Sequence, residues 1–234
     1  MKVGIMQPYF MPYIGYFQLI EVVDEFVVYD NIQYSSKGWV NRNRILVNGK
    51  DEFITLTLRK DSSLLDVKDR MLADSWPNER IKLLNRIKET YRKAPFFEQV
   101  FPLIESCVLF TNTNLFEFIY NSLICILNFL ESKTKITISS SISINHELKS
   151  EERVKAICKQ LGASVYINPI GGVDLYSKKK FSESGIELNF LQATNVVYRQ
   201  FDNEFVPWLS ILDVLMFNNK EAVKTIIQNN YKLI

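Results

Sequence analysis

The stretch from Val3 to Tyr29 restricts the fold more than any other part of the chain. Val3-Gly4-Ile5-Met6 is a short apolar run stopped by Gln7-Pro8, the pattern of a buried strand running into a loop. From Tyr13 to Val23, Ile14, Phe17, Leu19, Ile20 and Val23 recur near a 3.6-residue period and predict a helix. Phe26-Val27-Val28-Tyr29 reads as a second buried strand, closed by Asp30-Asn31. Strand, helix and strand so close together form a βαβ unit, which requires a parallel sheet with a right-handed crossover.

Downstream, Ile45-Leu46-Val47, Asn48-Gly49-Lys50 and Phe53 to Leu58 place an Asn-Gly turn between β-prone runs, the signal of a hairpin. Residues 59–76 lack periodicity and read as a loop or short helix. Pro77 opens a helix whose stripe is Ile81, Leu84, Ile87 and Tyr91, and Pro95 ends it. Further helices are expected at about 96–108 and 113–131. Ile136 to Ile138 and Ser164 to Ile167 read as strands around a helix from Ser150 to Leu161 capped by Gly162. Ile186 to Phe190 is the last clear strand, and helices at 208–217 and 220–229 close the chain. The pattern favours an α/β fold, with residues 1–234 as one domain and a helical middle segment at about 77–131.

Composition removes several function classes. A net charge of +2 is too small to make nucleic acid or an anionic membrane the main partner. No run of about eighteen apolar residues is present to span a bilayer, and no signal peptide precedes Gln7-Pro8. Cys107, Cys125 and Cys158 are widely spaced within apolar helical patterns and read as buried thiols, with the reducing cytoplasm as the expected location. No Cys/His cluster supports a metal site, and no P-loop or Gly-x-Gly-x-x-Gly supports standard nucleotide binding.

The polar and aromatic residues that a core cannot absorb gather near the N-terminus. One loop carries Gln7, Tyr9, Phe10, Tyr13, Gly15 and Tyr16; a second carries Asp30, Asn31 and Gln33; the hairpin entry carries Lys37, Trp39, Asn41, Arg42, Asn43 and Arg44. The first two loops start where parallel strands end, which is where open α/β sheets bind ligands. The start of the first helix offers free amides and a positive dipole end, Gly15 permits close approach there, and Trp39 with the two Arg suits a nucleotide or sugar phosphate. The bland alternative has the Pro and Tyr capping a sheet and Arg44 on a solvated hairpin. Asp30 is the better candidate base, and Asp24 reads as structural. Tyr9, Phe10 and Tyr13 would alternatively form a contact between subunits of a homo-oligomer.

MQPYFMPYIGYFQLI, VDEFVVYDNIQYSSKGWVNRNRIL, KSEERVKAICKQLGASVYINPIGG and FVPWLSILDVL together resemble the WbqC-like family, found in bacterial surface-polysaccharide gene clusters. The resemblance implies a role in O-antigen or capsule synthesis, decorating an amino sugar. Many members carry His immediately before the Gln-Pro; Met6 stands there in this chain, so a mechanism needing that His does not operate. A second resemblance is to the nucleotidylyl-transferase-like α/β layout of pantothenate synthetase, a Rossmann-like open parallel sheet. That group has His-x-Gly-His opening the first helix and Asn-x-x-Gln-Phe after the second strand. Tyr13-Ile14-Gly15-Tyr16 and Asn31-Ile32-Gln33-Tyr34 fall at these motifs, with both His replaced by Tyr. Tyr lacks the imidazolium charge that steadies a pentavalent phosphate.

Elsewhere, His146 is the only histidine and reads as a loop or cap residue. Gly171 and Gly172 either line the same pocket or turn the chain; Lys178-Lys179-Lys180 reads as a phosphate motif or a solvated face. Asp213, in an apolar helix, needs an Arg or Ser partner or a function.

The resemblance implies an acyl- or aminoacyltransferase forming an amide on a nucleotide-linked amino sugar, with an acyl thioester donor or an acyl carrier as second partner. Asp30 would be the base, Asn31 and Gln33 oxyanion donors, and the remaining loop residues would bind substrate. The alternatives are an ATP-dependent carboxylate-activating ligase, a glycosyltransferase, and a non-catalytic sugar-nucleotide-binding protein.

Overall fold

A computed structural model of the chain describes residues 1–194, 196–202 and 204–234. Its main sheet contains β1 (Lys2–Met6), β2 (Glu25–Val28), β5 (Lys135–Ile138), β6 (Val165–Pro169), β7 (Glu187–Ala193) and β8 (Tyr231–Leu233). They lie in the order β5-β2-β1-β6-β7-β8. The first five are mutually parallel, whereas β8 pairs antiparallel with β7 at the edge. The chain is therefore a mixed α/β protein. Building runs outward from β1 through β2 to β5, then returns to the other side of β1 with β6. The direction of building thus reverses between β1 and β6.

The period-2 alternation of the strands sorts their side chains onto two apolar layers. Val3, Ile5, Val27, Tyr166, Leu188 and Phe190 face one layer, shared with Val154, Ile157 and Cys158 of α5 (Ser150–Gln160) and Phe181 of α6 (Lys178–Glu183). Phe26, Val28, Ile167 and Leu191 face the other, which holds α1 (Ile14–Glu21) and α8 (Lys220–Asn229). From Ile14 to Ile20 every residue of α1 is buried, because the helix lies between the sheet and α8. Gly4 permits that approach: a Cβ there would meet Phe26 at 3.3 Å and Leu19 and Val23 at 3.4 Å. Gln18, fully buried, donates to the carbonyls of Ile226 and Asn230 and so caps the end of α8.

Between β2 and β5 lie a separate antiparallel hairpin, β3 (Arg42–Val47) and β4 (Lys50–Thr55), and three helices: α2 (Trp76–Tyr91), α3 (Phe97–Val108) and α4 (Leu115–Phe129). Asn48 and Gly49 both have positive φ, as the expected Asn-Gly turn requires. The closing helices are α7 (Ile211–Phe217) and α8. The Lys178-Lys179-Lys180 run is exposed, a solvated face that opens the short α6, and Gly171-Gly172 turn the chain within a 3₁₀ turn spanning Ile170–Leu175. Cys107 and Cys158 are buried, but Cys125 is only half-buried.

Asp213 is fully buried in α7, with neither Arg nor Ser as its partner. Tyr91 donates to its Oδ2 at 2.8 Å, and Tyr198 and Gln200 to its Oδ1 at 2.7 Å each. The Tyr91 hydroxyl in turn accepts the Leu46 amide at 2.9 Å, so one carboxyl joins β3, α2 and α7. Asp24 is structural as expected, its carboxylate accepting the Lys2 amide at 2.7 Å.

Candidate functional site

The loop after β1 is held by backbone contacts. The Asn43 side-chain amide donates to the carbonyls of Met11 at 2.8 Å and Phe10 at 3.3 Å, while its Oδ1 accepts the Arg44 amide. Ser210, the N-cap of α7, donates from Oγ to the Met11 carbonyl at 2.7 Å, and the Phe10 amide donates to the Val40 carbonyl. Met11, buried with φ 44°, is the bend these bonds maintain. Phe10 is fully buried and Tyr9 and Tyr13 are half-buried, so Phe10 offers nothing to a subunit contact.

What projects from this frame is a cleft of about 260 Å³ lined by Tyr9, Tyr13, Trp39, Asn43, Arg44 and Trp208. Five of these are residues singled out in the sequence. Trp208 is the sixth, and nothing local marks it. Its ring lies 5.8 Å from that of Tyr13, and the Arg44 guanidinium stacks 5.4 Å from the Trp39 ring. Arg44 also pairs with Asp51 at 2.9 Å and donates to the Trp208 carbonyl at 3.3 Å, and its buried Nε has no partner among the described residues. Burial pushes the Tyr9 and Tyr13 phenols above their usual range, so both remain neutral donors near pH 7.

Gly15 serves a neighbour, not a ligand. A Cβ on it would collide with the Tyr13 ring and hydroxyl, which fold back over the first turn of α1. The Tyr16 hydroxyl is equally committed, donating to the Gln7 carbonyl at 3.0 Å. The expected anion site at the start of α1 is thus roofed by Tyr13.

Asp30 and Asn31 enter a second cluster, beyond the ends of β2 and β5. Asp30 is 2% exposed, and its Oδ1 accepts the Ser140 amide at 2.9 Å. Asn31 donates from Nδ2 to Nδ1 of His146 at 3.0 Å. That nitrogen also faces the Arg153 guanidinium at 3.3 Å, and Nε2 faces the Ile142 carbonyl at 3.0 Å. An amide N–H and a guanidinium only donate and a carbonyl only accepts, so these contacts suit Nδ1 as acceptor and Nε2 as donor. Arg153 lies over the Tyr29 ring at 5.0 Å; burial raises the Tyr29 phenol to about 12 against the lowering effect of Arg153. Asn31 Oδ1 and Ser139 Oγ are buried with no partner among the described residues. His146 thus lies in the loop before α5, as expected, and there joins a polar cluster at the carboxyl edge of the sheet.

The remaining candidates separate. Gln33 donates to the Ser63 carbonyl at 2.9 Å. Asn41 is buried, donating to the Leu56 carbonyl and accepting from Tyr34, so it braces the hairpin. Arg42 closes its own turn through the Gly38 and Lys37 carbonyls and stacks on Phe53, and Lys37 points to solvent. Gly172 is packed against Asn168, where a Cβ would collide, whereas Gly171 is open. Among the described residues, no group of three or more His, Cys, Asp or Glu is placed to hold a metal, and no helix is long and apolar enough to cross a membrane.

The sequence is similar to the uncharacterized protein Rv1507c of Mycobacterium tuberculosis, 28% identical over 227 residues, which cover 94% of this chain and 95% of that protein. No solved structure matches it. A model of the WbqC-like protein family matches residues 7–225, from the Gln that opens the first loop into α8. The chain belongs to the WbqC-like protein family.

Proposed function

We propose that the protein is a transferase of bacterial surface-polysaccharide synthesis that forms an amide on the amino group of a nucleotide-linked sugar. The observation carrying this reading is the cleft of Tyr9, Tyr13, Trp39, Arg44 and Trp208. Aromatic faces stack a base at about 1–3 kcal/mol, and a guanidinium in the cleft wall suits a phosphate oxygen. In the reaction the sugar nitrogen attacks a thioester carbonyl, the C–N bond forms as the C–S bond breaks, and the thiolate leaves. The proton lost from nitrogen passes through a base to the departing sulfur. Asp30 is the base assigned here. It lies in the second cluster and not in the cleft wall, so the amino group must extend from the cleft toward it. His146 positions the Asp30 loop through Asn31.

The test is mass spectrometry of the protein mixed with a nucleotide-linked amino sugar and a panel of acyl and aminoacyl thioesters. A mass gain equal to one acyl group less one hydrogen supports transfer, and no gain with any donor contradicts it. Asp30→Asn keeps an acceptor for the Ser140 amide and is expected to lower kcat by about 10²-fold or more with KM little changed. Unchanged turnover removes Asp30 from the role.

The strand order favours a second reading, ATP-dependent activation of a carboxylate. The five parallel strands, numbered among themselves, run 3-2-1-4-5, as in doubly wound nucleotide-binding sheets. Phosphate would then reach the amides of α1 only after Tyr13 swings away. Pyrophosphate release that depends on an acid substrate supports this reading; absence of ATP binding removes it.

A further inference from the structure

The aromatic cleft does not end at Trp208. On the far side of Tyr13 and Trp208 lies a second chamber of about 310 Å³, walled by those two rings and by Ile14, Ala193, Val197 and Phe205, among others. None of the described residues lining it carries a charge. Tyr198 brings a hydroxyl, but that hydroxyl is spent on Asp213 at 2.7 Å, so the chamber meets the tyrosine's ring. Thr194 and Tyr13 supply the other side-chain hydroxyls among the described lining residues. The volume is that of roughly ten waters at about 30 Å³ each, enough for a short to medium hydrocarbon chain.

Trp208 forms the partition. Its backbone has φ 63°, a left-handed conformation that a bulky side chain adopts only when its surroundings impose it. The surroundings are explicit: the Trp208 carbonyl accepts from Arg44, and the Ser210 amide donates to the Arg44 carbonyl at 2.8 Å. The indole is 53% exposed and 5.8 Å from Tyr13, between a chamber with a guanidinium and one without any charge.

We infer that this second chamber takes the hydrocarbon chain of the acyl donor, so the transferred group is an unsubstituted acyl group and not an aminoacyl group. The inference rests on the transfer reading and decides between its two donor classes. An aminoacyl ammonium entering the chamber would lose its hydration and find no carboxylate, a cost that a plain chain does not bear. A hydrocarbon chain gains with each methylene buried.

The experiment uses S-acyl-N-acetylcysteamine thioesters with chains of roughly two to eight carbons, together with the 2-amino derivative of the four-carbon member. Binding is followed by tryptophan emission, and nucleotide-linked amino sugar is titrated separately. Affinity is expected to rise about fourfold per methylene until the chamber fills, with the amino derivative weaker than its parent by tenfold or more. Ala193→Phe, which fills the chamber, should flatten that dependence and leave sugar-nucleotide binding unchanged. Val197→Asp, at a position 73% exposed and therefore safe for folding, should weaken the longer chains selectively. Affinity that does not depend on chain length, while the sugar nucleotide still binds, overturns the inference and leaves the transfer reading intact. Preferred binding of the amino derivative also overturns it. Failure of both ligands to bind overturns the inference and the reading together.

Discussion

Asp213 is a carboxyl with three donors and no cation, and that combination fixes how it should respond to pH. Burial raises its pKa above the ordinary value of 3.8, while the hydrogen bonds from Tyr198, Tyr91 and Gln200 pull the other way. A carboxyl with a higher pKa folded than unfolded binds more protons in the native state between the two values. Its contribution to stability is therefore complete below the unfolded value and declines as pH rises through the folded one. Asp213→Asn retains an acceptor for Tyr198 and Gln200 but cannot titrate. The stability of wild type relative to this variant should fall as pH rises above the ordinary carboxylate range, measured by urea unfolding at several pH values. A difference that stays constant with pH would refute the buried, raised-pKa description. The sequence showed that Asp213 needed a partner, because a charge in an apolar stripe is costly. It did not show that the partners would be two tyrosines and a glutamine, since Tyr91 lies 122 positions away.

At the scale of elements, the hairpin acts as a clamp on the loop after β1. Asn43 in β3 satisfies two buried carbonyls of that loop and the amide of Arg44. Asn43→Ala leaves these groups unpaired, and an orphaned buried group costs about 1–3 kcal/mol. The variant should lose about 2–4 kcal/mol in urea unfolding and release Tyr13 from Trp208, visible as changed tryptophan emission. A loss below roughly 0.5 kcal/mol would mean that the loop holds itself. The hairpin was legible because Asn-Gly between β-prone runs admits few other structures, and the helices were legible from their apolar stripes. The 3-residue edge strand β8 and the 6-residue α6 are too short to carry a period. The site was half legible for the same reason: Tyr9, Tyr13, Trp39 and Arg44 lie close in sequence, whereas Trp208 meets Arg44 across 164 positions and His146 meets Asn31 across 115. Local chemistry also did not show that Asn41 braces the hairpin or that Asn43, though in the cleft wall, spends its amide on backbone. Residues rich in hydrogen-bonding groups serve buried backbone as readily as they serve ligands.

For the whole molecule, the sheet order brings the ends of β1, β2, β5 and β6 to one edge, and the hairpin and α7 add walls beside it. Both polar groupings lie on that edge, and the aromatic cleft has an open volume of about 260 Å³. The central claim is that this cleft, with Arg44 in its wall, holds a nucleotide-linked sugar. The most direct measurement is a calorimetric titration of a nucleotide-linked amino sugar into wild type, Arg44→Lys, and the surface control Arg59→Lys, whose ion pair with Asp74 is largely exposed. Lys keeps the charge but loses the planar fork, so Arg44→Lys should weaken binding by about tenfold or more while the control matches wild type. Equal affinity in all three proteins would contradict the assignment of the cleft.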